Sequence, residues 1–340
     1  AHPSSDRRFR NTPGNFINET PLFEAGLQAF HHFEPIVERF YGATGDLRTQ
    51  GKRDLYRLRL FGSDAALILL DARSFRDQPL PPAANPLDPE SVAAFLEASF
   101  DPNRTMLGEA QLDRLKSHLL LVQALGITWK FVLLPEPIQN LGILGASDRF
   151  EGYAAERTEI LGFIRENQIR NVVFVAADFH GTLVNDLFYQ QEVFGEQIPV
   201  EAFEIVTGPL AYDPPLGPAI VAAAFSAGLI DQSLLALYLS LPAPLKDLFV
   251  RIGFDYQLAI YGYDELGLAG SILDAALVFG SYAASHAFGW TEFEIDAATQ
   301  LLTVTVYGVD PYNGADIAND PNGVVARTPA VISRFVVAPK

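Results

Sequence analysis

The chain has 340 residues and no cysteine. That excludes disulfides, iron–sulfur clusters, thiolate zinc sites and a cysteine nucleophile, and leaves the compartment undecided. Basic residues are few: 24 Lys and Arg stand against 41 Asp and Glu, a formal net charge of −17. A nucleic-acid partner is therefore not expected, because phosphate neutralisation needs clustered cations. The charge suits cation binding, or solubility in a salty or extracellular medium. No run of about 18 uncharged apolar residues occurs, so no stable membrane insertion is expected. The most apolar stretch, Pro218 to Leu241, is broken by Gly228 and Asp231. No G-x-S-x-G, P-loop or dinucleotide glycine pattern is found. Ala1-His2-Pro3 shows neither an initiator Met nor a signal peptide, which points to a processed chain or a fragment.

What is present is an alternation. Tyr56 to Leu60 alternates like a half-exposed strand, and Ala65 to Leu70 is a short apolar run ended by Asp71-Ala72-Arg73. An amphipathic helix opens near Thr105-Met106-Leu107-Gly108 and runs through Leu112, Leu115, Leu119 and Val122. Trp129 to Leu134 is a buried strand stopped by Pro135-Glu136-Pro137, followed by a helix from about Tyr153 to Asn167 and a strand at Asn171 to Ala176. Strand, helix, strand, helix, strand predicts a mixed α/β fold with a sheet between helices. Ligand sites in such sheets collect at the carboxyl ends of strands. Asp71, Arg73, Glu136, Asp178 and His180 all fall there.

Further along, Phe203 to Thr207 reads as a strand, and Ala219 to Leu248 as mostly helical. Trp290 to Ile295 and Leu301 to Tyr307 read as a hairpin turning at Asp296 to Gln300, and Val331 to Val337 as a last strand. No linker is evident. One domain over 1–340 is expected, with a helical insertion at 216–285 and an irregular start from Ala1 to about Asn18.

Asp178 and His180 are the strongest chemical signal. On an extended chain, side chains two apart share a side, so a carboxylate and an imidazole would point together. Such a pair suits a divalent or trivalent metal; a hydrogen-bonded core pair is the alternative. His286, before Phe288-Gly289-Trp290, is a further ligand candidate or a structural histidine. Arg73 suits a bidentate grip on a phosphate oxygen, or an ion pair with Asp71. Glu136, held between two prolines, suits a ligand or base, or only ends its strand. Thr182 and Asn185 are pocket candidates. His31-His32 reads as surface or interface, and His118 as structural.

Several of these residues sit in ordered motifs. Leu70 to Arg76, Thr105 to Gly108 with Gln111, Thr128-Trp129-Lys130, Phe150 to Tyr153 with Glu156-Arg157, and Asp178-Phe179-His180 follow one another. Together they resemble PhoD-like alkaline phosphatases of the metallophosphoesterase superfamily, from about Phe23 to His180, with a divergent continuation through Gly289-Trp290 and Tyr307. The resemblance implies a sandwich of mixed β-sheets flanked by helices, hydrolysis of phosphate monoesters or diesters, export, and a metal cluster of iron plus calcium. By match, Asp178 and His180 become metal ligands. The family's earlier metal motifs do not occur in this sequence, so it resembles the C-terminal part of a longer phosphatase. A companion N-terminal polypeptide is then expected to complete the site. The alternatives are a catalytically silent scaffold or binding module, and a phosphodiesterase or phospholipase specificity on the same site.

Overall fold

The computed structural model describes residues 18, 20–85, 88–142, 146–211 and 214–340. The expected irregular start at Ala1 to Asn18 lies outside them, apart from Asn18. The chain divides into two compact units, the first built from 1–138, 143–169 and 189–196, the second from 139–142, 170–188 and 197–340.

The first unit begins with helix α1 (Pro21–Phe33), whose N-cap Thr20 accepts from the Phe23 N–H. The helical pattern stops before Pro35, as its missing N–H requires. Strands β1 (Arg57–Phe61) and β2 (Ala65–Leu69) pair antiparallel. Helices α2 (Pro89–Ser99) and α3 (Glu109–Ala124) follow, then β3 (Trp129–Leu133), which pairs parallel with β2. Helix α4 (Ala154–Glu166) completes the unit. Ile68, Leu115, Leu119, Val122, Trp129, Ile160 and Ile164 are buried, so the apolar stripes of α3 and α4 and the strands form the core, while α1 buries none of its residues. The parallel β2–β3 pair is read from the sequence as continuous apolar runs, because strands covered on both faces lack alternation.

In the second unit, β4 (Val172–Ala176), β5 (Thr182–Tyr189), β6 (Ile198–Val206) and the short β8 (Ala283–Ala284) lie in the order β4-β6-β5-β8. β4 and β6 pair parallel, while β5 and β8 pair antiparallel. Between β6 and β8 come helices α5 (Leu216–Ser226), α6 (Gln232–Ser240) and α7 (Ala243–Ile260), then strand β7 (Ala275–Gly280). The expected insertion at 216–285 is thus helical only to Ile260; its end is strand. β9 (Phe288–Ile295), β10 (Leu302–Val309) and β11 (Ala330–Val337) join β7 in a second sheet ordered β7-β11-β10-β9, with all neighbours antiparallel. The β9–β10 hairpin turns where the sequence places it: Asp296 accepts N–H bonds from Ala298 and Thr299. Phe335 of β11 meets Phe203 of β6 edge to face, with ring centres 6.0 Å apart. Short helices α8 (Gly314–Asn319) and α9 (Pro321–Val325) precede β11.

Candidate functional site

In the first unit the exit of β2 makes a tight polar turn. The Asp71 carboxylate accepts the backbone N–H groups of Arg73 and Ser74, each at 2.9 Å. Gln111 of α3 clasps the same residue, accepting its N–H and donating to its carbonyl, both at 2.8 Å. Burial pushes the Asp71 carboxyl up. Asp71 therefore touches Arg73 through the main chain, and the guanidinium goes elsewhere.

Arg73 pairs with Glu136 and lies 3.3 Å from Asp148. Arg76 donates to the Asp148 carboxylate at 2.5 Å and to its carbonyl at 2.9 Å. Glu136 is fully buried, and neither of its oxygens has a directed hydrogen bond among the described residues. Ligand atoms of Glu136 and Asp148 lie within 4.8 Å of one another. Two oxygen donors at that spacing fit a hard cation, whose ligands are carboxylates. Asp148 was not singled out from the sequence. Its one signal is position, two residues before the quoted motif Phe150 to Tyr153.

In the second unit, β4 ends at Ala176, and the chain turns sharply. Asp178 has φ +69° and His180 φ +56°, both left-handed. The extended geometry assumed for this pair does not hold, so the two-residue period does not orient it. Asp and His tolerate this region better than most residues, yet each such position costs of order 1–3 kcal/mol unless its surroundings enforce it. The enforcement is visible. Phe179, between the two, packs against the core of α5–α7, 5.9 Å from Phe254 between ring centres. The His180 carbonyl accepts the Leu216 N–H at 2.8 Å. Asp178 is exposed and His180 half-buried.

His286 is placed differently. Its Nε2 accepts from the Tyr238 hydroxyl at 2.7 Å, and its Nδ1 faces Asp247 Oδ1 at 2.7 Å. The carboxylate only accepts, so the proton sits on Nδ1. With protein partners at both nitrogens the ring offers no lone pair to an ion. Thr182 is buried at the start of β5, and Asn185 accepts the Gly267 N–H at 3.0 Å. His118 bonds the Tyr56 hydroxyl at 2.8 Å.

Residues 2–225 match a family described as PhoD-like phosphatase. Alkaline phosphatase D of Bacillus subtilis (strain 168) is 29% identical over 198 residues, which cover 54% of this chain and 32% of that protein. A solved structure described as "Structure of PhoD" superposes with a TM-score of 0.54 at 16% identity, covering 92% of this chain and 46% of the other. That likeness bears on the fold. The chain spans less than half the length of the proteins it matches.

Proposed function

The chain belongs to the PhoD-like phosphatase family, and on that premise we propose that it hydrolyses phosphate esters with bound metal ions, iron and calcium in the family's manner. Asp178 and His180 serve as metal ligands. The observation that carries this reading is the loop itself. The fold holds two residues of ligand chemistry in left-handed backbone, a conformation that persists only where something enforces it.

Carboxylates and imidazole, with no thiolate, suit hard or borderline cations. Such an ion, when bound, acts as a Lewis acid and lowers the pKa of a bound water. The chain's own residues do the rest. Arg73, held by Glu136 and Asp148 and still about a third exposed, can donate to a phosphate oxygen in exchange for Asp148. Asp71 and Gln111 keep the Arg73 turn fixed, so the guanidinium is presented without reordering the backbone.

Export is part of the proposal. Among the described residues no helix is long and apolar enough to cross a membrane. The test is metal analysis of the purified chain with p-nitrophenyl phosphate turnover after supply of iron and calcium. Stoichiometric metal and turnover are expected. Asp178→Asn and His180→Ala should each lower turnover at least roughly a hundredfold, the scale of losing several kcal/mol of charge stabilisation. A chain that takes up no metal and turns nothing over rules the proposal out for this polypeptide.

A further inference from the structure

We propose that the helical segment α5–α7 is the positioning device for the Asp178–His180 loop, acting through the Leu216 N–H and a Tyr238–His286–Asp247 relay. The inference rests on the functional reading above, and deepens it by assigning residues that hold the ligands without touching an ion.

Two grips reach the loop. The first is Phe179, whose ring joins the apolar cluster of Val221, Tyr238, Val250, Phe254 and Leu258. The second is the hydrogen bond from Leu216 to the His180 carbonyl, 2.8 Å. Leu216 is the first residue of α5, where the backbone N–H has no partner inside the helix. That orphan donor is spent on His180, which ties a left-handed residue to a helix start.

The position of the helix start is itself fixed by His286. The Gly217 N–H donates to the Ser285 carbonyl at 2.8 Å. A Cβ on Gly217 would lie 2.2 Å from His286 Cε1, so the ring lies flush against the α5 backbone and only glycine fits. The ring is locked by Tyr238 from α6 and Asp247 from α7. Asp247 also accepts the Ser285 N–H at 2.6 Å. One imidazole therefore sets α5, α6 and α7 against the strand end that carries it, and through Leu216 sets His180.

The test exploits proline. Pro is well tolerated at the first helical position and lacks only the N–H. Pro215, which precedes it, has ψ 149°, the conformation a following proline prefers. Leu216→Pro then removes the grip on His180, while Leu216→Ala removes the side chain and keeps the grip. Amide hydrogen exchange over 177–182 is measured in the full chain, with far-UV circular dichroism to check folding. Exchange at least about tenfold faster in Leu216→Pro than in Leu216→Ala is expected; equal rates overturn the proposal. A second pair of variants tests the relay. Gly217→Ala should speed loop exchange in the native background and far less in a His286→Ala background, where the clash is gone; equal effects in both overturn the relay. Uptake of iron and calcium by the wild type is followed in parallel. No uptake with the expected exchange pattern sinks the metal reading and leaves the positioning role standing; uptake with unchanged exchange does the reverse.

Discussion

In the first unit, Arg73 and Arg76 meet Glu136 and Asp148 side chain to side chain. In the second, the Asp178–His180 loop is held through its main chain, by positive φ angles, a carbonyl hydrogen bond and one inserted ring. The difference has a physical cause. A charge that must stay buried needs an opposite charge, so its side chain is committed to protein. The loop shows the other solution: two left-handed residues, a carbonyl hydrogen bond and the Phe179 ring set its path through the backbone. The first arrangement is therefore sensitive to losing a charge, and the second to losing a dihedral angle.

The largest expected effect breaks the first arrangement. Arg73→Ala leaves the fully buried Glu136 carboxylate without the ion pair that Arg73 supplies. Removing one partner of a buried pair costs about 3 kcal/mol or more, because the remaining charge is uncompensated. The urea midpoint should fall accordingly. Arg73→Ala with Glu136→Gln should recover much of the loss, since the uncompensated charge at Glu136 is then gone. A single variant as stable as the wild type would show that Glu136 finds its balance elsewhere.

A second side-chain device in the same unit gives a pH signature. Glu156 of α4 accepts from Thr105 and from the Met106 and Leu107 N–H groups, closing the turn before α3. Burial pushes its carboxyl up to about 7 from an ordinary 4.5, against the pull of those donors. The folded state then holds a proton that the unfolded chain gives up. Its stabilising contribution is full below about pH 4.5 and is lost as pH rises through 7. Between pH 5 and 8 the wild type should lose on the order of 2–3 kcal/mol from this group. Glu156→Gln, which stays neutral, should flatten that slope. Urea curves at four pH values check it. Parallel pH profiles for the two proteins would remove Glu156 as the cause.

These devices differ in how far the sequence reveals them. Strand and helix alternation between Ala65 and Ala176 is read directly apart from α2, because buried strands are continuous apolar runs and helices carry a 3.6-residue stripe. β5 is not, since Asn185 and Asp186 interrupt its apolar run with polar residues that pair only in three dimensions. β7 is hidden for another reason: Ala275 to Gly280 continues a stretch rich in apolar helix formers. Asp178 and His180 are legible as chemistry but not as geometry, because positive φ at a residue other than glycine leaves no mark in the sequence. His286 shows the same limit. A histidine near a strand start reads equally as ligand or core, and only Tyr238 and Asp247, 48 and 39 residues away, decide between them.

The smallest expected effect sharpens the comparison most, because it separates backbone from side chain at single positions. At a left-handed residue a Cβ is a burden: alanine should be less stable than glycine by about 1 kcal/mol. Where φ is negative, the order reverses by about 0.5 kcal/mol, since glycine leaves the unfolded chain more freedom. His180→Gly should therefore be more stable than His180→Ala, while both lose the imidazole. Arg73→Ala should be more stable than Arg73→Gly, while both lose the guanidinium. Thermal or urea unfolding of the four variants measures each difference with its side chain already gone, so packing and charge cancel within a pair. Alanine ahead of glycine at both positions would mean that His180 relaxes out of the left-handed region once its ring is removed. The loop would then owe its shape to the imidazole and not to the grips of Phe179 and Leu216, and the contrast between the two units would fail.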